Sequence, residues 1–270
     1  MVVWTWVREH RWLTVAGLVL LIVSTAGGTA WAVFFRTVAS PVSLRAALRL
    51  YRHDQDSGFS GVASLGNLSR LLAAGVYTYR TSGGESLSLL GQSRSFPART
   101  DMVVSDRPGS CSSVSWVPLT QHTEVTTACP AADHAFSVSQ LVTDEVISGT
   151  STTTIIDCPT TTYLVPPIAF PGVRWTASCT QSGPSGTVAV DGLVVGEEPV
   201  EVAGQSIPTL HVRLTLRFAG VDVGTSPTDF WISTAQGLIV RERESTTVTQ
   251  QGVHYTEQMD STLSSLTPAS

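Results

Sequence analysis

The sequence predicts a mostly β protein, built from an antiparallel sheet with two short helices and preceded by one N-terminal transmembrane helix. Three observations predict this class. Residues 12–35 contain no charged side chain, apolar and polar residues alternate along much of the chain after Val76, and charged residues make up only 14% of the composition. Alternation with period two is typical of strands that have one face on a core.

The apolar run at residues 12–35 is long enough to cross a bilayer, since about 20 apolar residues span its hydrocarbon core. Two arginines precede the run, Arg36 follows it, and tryptophans stand near both ends. This pattern predicts a transmembrane anchor at 12–35 and a single-pass protein of the cell membrane. Arginines stand on both sides of the run, so charge alone does not fix its orientation; the cysteines described below do, and they make residues 1–11 a short cytoplasmic tail. A second interpretation stays open: Ala30-Trp31-Ala32 fits a signal-peptidase site, and cleavage there would remove the run.

Residues 36–75 predict a juxtamembrane neck with two short helices. In the first, after Pro41, apolar residues recur at helical spacing beside a basic stripe made of Arg45, Arg49 and Arg52. The basic stripe is a candidate for contact with the lipid bilayer surface. The alternative is a solvated arginine face with its apolar side on the rest of the protein. The second helix is predicted at 64–74, where Gly75 ends it.

The β domain is predicted at 76–266, followed by a tail at 267–270. Its clearest strand is Leu210–Phe218, where apolar and polar residues alternate over nine positions. Further strands are predicted at 102–105, 114–117, 124–129, 152–157, 174–179, 229–233, 238–244 and 253–260. Together they predict one antiparallel domain of about ten to twelve strands.

The four cysteines, all after the apolar run, predict two disulfide bonds. Four cysteines allow three pairings, and pairing of neighbours along the chain is favoured, which joins Cys111 to Cys129 and Cys158 to Cys179. Zinc ligation is disfavoured because no two cysteines have the close spacing of a zinc site. Disulfides persist in oxidising compartments, so the C-terminal domain is predicted to be extracytoplasmic.

Composition excludes several kinds of chemistry. All 16 basic residues are arginine, which rules out a phosphate-loop lysine and a Schiff-base lysine. The motifs G-x-S-x-G, H-E-x-x-H and G-x-G-x-x-G are absent. Residues 81–270 are strongly acidic, which argues against nucleic acid as a partner. The sequence therefore predicts neither an enzyme nor a cofactor or metal site.

Two sets of residues stand out as candidates for binding. Trp116, Trp175 and Trp231 lie on predicted strands, where aromatic side chains can line a groove for an apolar ligand, although packing in the core is the favoured interpretation. His122 and Glu124 point the same way from one strand. Such a pair can bind metal or move a proton, but a solvated strand face is the commoner outcome.

Residues 193–266 resemble a known family. Two runs carry the resemblance, a hairpin of sequence V-V-G-E-E-P-V-E-V-A-G-Q-S-I-P and a later strand and turn of sequence D-F-W-I-S-T-A-Q-G-L-I-V-R. They are similar to the C-terminal strands of the bacterial half-barrel lipoprotein-carrier superfamily and of uncharacterised actinobacterial membrane-anchored relatives. The resemblance implies a curved antiparallel sheet or half-barrel that shelters an apolar ligand.

These observations predict a membrane-anchored extracytoplasmic β protein that binds an apolar ligand or a cell-envelope component. The alternative function is a protein-interaction module of a membrane complex, in which the anchor and the arginine neck make the contacts.

Overall fold

The computed structural model of the chain describes residues 39–56, 73–88, 91–132, 135–147 and 150–269. The chain divides into two compact units. The first comprises Met1–Val38 and Ile147–Thr150, and its part before residue 39 lies outside the described residues. The second comprises Ala39–Val146 and Ser151–Ser270 and contains the helix and the sheet described below.

Strands dominate the described residues, as the alternating pattern predicts. One α-helix, α1, spans Leu44–Asp56. The strands are β1 (Gly75–Leu87), β2 (Gln92–Ser95), β3 (Arg99–Asp106), β4 (Ser112–Leu119), β5 (His122–Pro130), β6 (Phe136–Ile147), β7 (Thr150–Asp157), β8 (Tyr163–Val165), β9 (Arg174–Ser182), β10 (Gly186–Glu197), β11 (Val200–Val202), β12 (Gln205–Ile207), β13 (Thr209–Gly220), β14 (Asp222–Ser233), β15 (Ile239–Gln250) and β16 (Val253–Leu263).

The main sheet closes on itself. Its strands follow the order β1-β3-β4-β5-β6-β7-β9-β10-β13-β14-β15-β16, and β16 then pairs antiparallel with β1 from Tyr79 opposite Leu263 to Leu87 opposite Tyr255. The result is a closed 12-stranded antiparallel barrel. The predicted half-barrel is therefore wrong, because the last strand returns to the first and removes both sheet edges, whose unpaired backbone groups would otherwise invite pairing with other chains.

Five further elements of the described chain, four strands and one α-helix, lie outside the ring of 12 strands. Strand β2 extends the pairing along β1, β8 pairs with β6, and β11 with β12 forms a separate hairpin. Helix α1 lies on the outer face, where Ala47 packs against Val76 of β1 and Val103 of β3. Ser43 caps its first turn, since the Ala46 amide donates to Ser43 Oγ at 3.3 Å.

The helices differ from the prediction. Among the described residues there is one helix where two were expected. The second predicted helix, at 64–74, falls on residues that are for the most part outside the described ranges, and Gly75 begins a strand. The predicted tail at 1–11 and anchor at 12–35 also lie outside the described residues. Within the described ranges, no helix has the length and apolar character needed to cross a membrane.

The core occupies one end of the barrel interior and parts of its wall. Alternation places one face of every barrel strand inward. The inward residues at the end where β1 begins are large and apolar, and they pack together: Tyr77, Tyr79, Met102, Val104, Val114, Val194 and Val212. The Tyr79 hydroxyl donates to the Ile239 carbonyl at 2.7 Å, which satisfies its polar atom inside this core. The polar inward residues lie further along the same strands.

Candidate functional site in the barrel lumen

The inward face of the barrel changes character along β1. After Tyr79 and Thr81, the next large inward side chain is Glu85, which stands directly opposite Glu257 of β16 in the antiparallel register. On β5, His122 stands opposite Glu145 of β6. Four strands therefore bring ionisable side chains to the same end of the interior, which we call the lumen.

The wall of β7, β9, β10 and β13 is apolar instead. Its inward side chains form one packed cluster: Ile156, Cys179, Val188 and Val190, with Leu141, Ala177, Leu216 and Phe218 against them. Trp175 lies further along β9, and its indole covers Gly192 of β10. A Cβ atom on residue 192 would stand 1.9 Å from the indole, so a side chain there would clash with it. The lumen therefore has an apolar wall as well as an acidic one.

Side chains do not fill the lumen. Leu141, Leu216 and Phe230 face inward but are only half-buried, as are Glu242 and Glu244 of β15. Residues that face the inside of a closed barrel and still keep exposed surface line a cavity. A barrel of about eight strands is just wide enough for side chains to fill, and wider ones enclose cavities or channels.

His122 is the centre of the acidic wall. Its side chain is 0% exposed, and its Nδ1 atom lies 2.8 Å from Glu85 Oε2. Its Nε2 atom lies 3.3 Å from Glu124 Oε1, and Glu145 Oε1 lies 3.8 Å from Nδ1. The rings of Phe96 and Trp116 pack edge-on against the imidazole. The predicted His122 and Glu124 pair is therefore real, but it lies inside the barrel.

Two neighbours hold the carboxylates of this cluster. Arg94 of β2 forms an ion pair with Glu85 Oε1 and donates to the Val146 carbonyl at 3.0 Å. The Tyr255 hydroxyl lies between two carboxylates, 2.9 Å from Glu85 Oε2 and 2.6 Å from Glu257 Oε2. We call Glu85, Arg94, His122, Glu124, Glu145, Tyr255 and Glu257 the histidine cluster.

The histidine cluster carries more acid than base. Burial lowers the pKa of His122, but the carboxylates of Glu257, Glu124 and Glu85 outweigh it and raise that pKa well above its ordinary value. With His122 protonated, two cations face the carboxylates of Glu85, Glu124, Glu145 and Glu257. Burial raises the pKa of Glu145 and of Glu257, as expected for carboxyl groups that no cation fully compensates.

Glu242 and Glu244 extend the acidic wall along β15. Burial, followed by repulsion from Glu124, raises the pKa of Glu244 to about 7. Burial and the charge of Glu244 raise the pKa of Glu242 well above its ordinary value. Ser226 of β14 donates to Glu244 Oε1 at 3.0 Å, and Ser226 stands opposite Leu216 of the apolar wall. The two walls therefore meet beside Glu244. A lumen of this kind can take up protons or bind a cation.

The cysteines pair as predicted. Disulfides join Cys111 to Cys129 and Cys158 to Cys179. The first links the approach to β4 with the end of β5, and the second links the residue after β7 with β9.

The three tryptophans do not form one groove. Trp116 and Trp175 face the lumen from different walls, where Trp116 Nε1 donates to Thr100 Oγ1 at 3.2 Å and Trp175 Nε1 donates to the Tyr163 carbonyl at 3.0 Å. Trp231 points to the outer face, is buried, and donates from Nε1 to Glu198 Oε2 at 3.0 Å. His211 stacks on it with a centroid distance of 4.3 Å.

The predicted basic stripe is exposed. Arg45, Arg49 and Arg52 all point away from the barrel, while Ala47, with Leu48 and Tyr51, covers β1 and β3. The apolar side of α1 thus lies on the domain, and the arginine face is free to meet another surface. No arginine of this stripe contributes to the lumen.

Most of the histidine cluster was not predicted from the sequence. Glu85, Arg94, Glu145, Tyr255 and Glu257 come from strands that are distant along the chain, and each stands among polar neighbours where an outward position is equally reasonable. One signal was available: Tyr255 and Glu257 share a face of β16 with Met259, which indicates a buried face for that glutamate.

Comparisons with known proteins give little further guidance. No family model matches the chain, and no curated protein matches it. Among solved structures, the hypothetical lipoprotein YmcC of Escherichia coli K12 is similar, with 13% identity, a TM-score of 0.34, and coverage of 85% of this chain and 100% of that chain. At this TM-score the likeness carries no argument about function. The family resemblance predicted for residues 193–266, including its extension to actinobacterial relatives, therefore stays a prediction.

Proposed function

We propose that this protein is a non-enzymatic extracytoplasmic binding protein whose lumen holds a small amphipathic molecule with an apolar chain and a cationic head. The observation that carries the proposal is the unfilled lumen, in which an apolar wall faces an acidic one. Two disulfides support an oxidising compartment.

The contacts of such a ligand follow from the two walls. An apolar chain would lie on Leu141, Leu216 and Phe218, and their exposed surface would be removed from water. A cationic head would lie near Glu242 and Glu244, about where the walls meet. An anionic lipid head is disfavoured, because like charges at close range in a poorly solvated interior repel strongly.

The test compares three ligands of equal chain length. Isothermal titration of the full chain with decylamine, decanol and decanoate at pH 8 is expected to rank affinity in that order, with about tenfold or more between the amine and the carboxylate. Equal affinity for the amine and the carboxylate, or no binding of any of the three, would contradict the proposal.

Variants separate the two walls. Leu216→Trp fills the lumen beside the apolar wall and is expected to weaken all three ligands, whereas Thr187→Trp places the same ring on the exposed outer face of β10 and is the control. A double variant, Glu242→Gln with Glu244→Gln, is expected to weaken decylamine and to leave decanol unchanged. An equal loss for both ligands would point to a damaged fold rather than a lost charge contact.

A protein-interaction role is the second candidate, and one observation favours it. The loop before β9 exposes Ile168 at 61% and Phe170 at 60% of their surface. Exposed large apolar residues often mark contact sites. Pull-down of envelope proteins by the wild-type chain but not by Ile168→Ser with Phe170→Ser would support this role. Identical captures by both would argue against it.

A further inference from the structure

Three residues of the histidine cluster stand in the arrangement of metal ligands. Glu85, His122 and Glu257 each offer one ligand atom, and these atoms all lie within 4.8 Å of one another. The three side chains come from β1, β5 and β16, and all are buried. Tetrahedral ligands about 2.0–2.2 Å from one zinc ion lie about 3.3–3.6 Å apart. His122 Nδ1 and Glu85 Oε2 are hydrogen-bonded at 2.8 Å, so a separation about half an ångström longer would admit the ion in place of the proton.

A buried oxygen in this group has no partner. Glu257 is 3% exposed, and its Oε1 atom accepts no hydrogen bond from the part of the chain that the structure describes. Buried carboxylate oxygens are nearly always hydrogen-bonded or bound to a cation, because an uncompensated one is costly. The lack of a partner for Glu257 Oε1 is an observation separate from the number of acidic residues nearby, and it indicates that a positive partner is missing.

The three candidate ligands have the kind of hydrogen-bond partners that orient side chains around a metal ion. The Nε2 atom of His122 faces Glu124 Oε1 at 3.3 Å, so Nε2–H can donate to a carboxylate while Nδ1 is left for the ion. Metal-bound histidines commonly have such a partner. The Tyr255 hydroxyl lies within hydrogen-bond distance of Oε2 of both carboxylates and donates its one proton to either, and Arg94 pairs with the other oxygen of Glu85. Each ligand is thus fixed by a neighbour.

We propose that Glu85, His122 and Glu257 bind one divalent cation, and that zinc is the ion this donor set favours. One imidazole nitrogen and two carboxylate oxygens suit zinc, whereas magnesium and calcium prefer oxygen ligands alone. Three protein ligands leave a fourth position for water or for a donor atom of a bound molecule. The site extends beyond the proposed ligand function, since it requires neither Leu216 nor Phe218.

The test is isothermal titration of the metal-stripped full chain with zinc chloride. The wild type is expected to bind one equivalent, and Glu257→Gln is expected to weaken the affinity at least tenfold. Glu201→Gln makes the same charge change on the exposed hairpin and is expected to bind zinc as the wild type does. Magnesium is expected to bind far more weakly than zinc.

A second measurement keeps the proposal testable if Glu257→Gln fails to fold. Anomalous diffraction at the zinc edge from wild-type crystals soaked in zinc is expected to place a peak among Glu85, His122 and Glu257. Failure of the wild type to bind zinc, a peak elsewhere, or unchanged affinity in Glu257→Gln would each overturn the proposal. None of these outcomes depends on amphipathic ligands, so this site and the proposed function can fail separately.

Discussion

Individual residues of the lumen carry charge where a barrel core is normally apolar. Glu244 is the clearest case, because burial and then repulsion from Glu124 raise its pKa to about 7, against the opposing charge of His122. Thr246 and Ser226 donate to it and partly stabilise its ionised form. A carboxyl group held this way changes its protonation near neutral pH, which links the stability of the domain to pH.

The free energy of unfolding is expected to fall as the pH rises from about 5 to 7. The folded pKa of Glu244 lies above its ordinary value of 4.5, so the folded state binds more protons in this range and is stabilised at the acidic end. Glu145, Glu242 and Glu257 shift in the same direction. Denaturant titrations between pH 5 and 8 measure this slope.

Glu244→Gln is expected to reduce the loss of unfolding free energy between pH 5 and 7, by up to about 2 kcal/mol. Glutamine keeps an oxygen that can accept from Ser226 but does not titrate. Glu201→Gln, on the exposed hairpin, is the control and is expected to leave the slope unchanged. Stability that rises between pH 5 and 7 in the wild type would contradict the assignment.

Among the neighbouring barrel strands whose register is described, β7 and β9 have the shortest pairing. Their described register covers only Ile155–Asp157 opposite Thr180–Ser182, and the Cys158–Cys179 disulfide stands directly beside it. By contrast, Cys111–Cys129 joins β4 and β5, which pair along most of their length. The two disulfides close loops of similar size, with separations of 18 and 21 residues, but they support ladders of different extent.

Removing the disulfide at the short seam is therefore expected to be the more harmful change. Either disulfide is worth on the order of 3 kcal/mol through chain entropy. Cys158→Ser with Cys179→Ser is expected also to increase hydrogen exchange in β7 and β9, whereas Cys111→Ser with Cys129→Ser leaves exchange in β4 and β5 largely protected. An equal increase of local hydrogen exchange in both double variants would contradict the idea that the β7–β9 pairing depends more on its disulfide.

Helix α1 has separate roles for its two faces. Ala47 is buried on β1 and β3, and the face with Arg45, Arg49 and Arg52 is exposed. Replacing these three arginines by glutamine is expected to leave the melting temperature nearly unchanged, because exposed charges contribute little to stability. The same change is expected to weaken binding to vesicles with anionic lipid, by about 1 kcal/mol per arginine.

A matched control for that experiment changes arginines elsewhere. Arg80, Arg99 and Arg174 are exposed on the barrel, and their replacement by glutamine alters net charge equally. Vesicle flotation measures both variants. If the control loses as much binding as the helix variant, the attraction comes from total charge and not from the helix face.

At the scale of the whole molecule, the sequence allowed the strands to be predicted but not their closure. The predicted strands fall on observed ones, apart from Leu238, which precedes β15, since alternation is a local property. The pairing of Tyr79 with Leu263 joins residues far apart in the chain, and no local pattern specifies it. Barrel strands β1, β6 and β10 were missed, because β6 carries polar residues inward and both β1 and β10 contain two or more glycines.

The acidic lumen escaped prediction for a related reason. From Arg241 to Glu244 every side chain is charged, so alternation gives no sign of which face is inward. Only the closure of the barrel determines which face of this segment is inward. The arginines point outward, where Arg241 and Arg243 pair with Asp260, and the glutamates point into the lumen. The disulfides were predictable because the even number and spacing of the cysteines are visible in the sequence.

The barrel as a whole is thus a closed sheet around a cavity with an apolar wall and an acidic wall. A crystal structure of the full chain with decylamine at pH 8 tests this account most directly. We predict that the amine's chain lies along Leu216 and Phe218, with its ammonium group near Glu242 and Glu244. A lumen filled by side chains, or an amine bound only on the outer surface, would contradict the account.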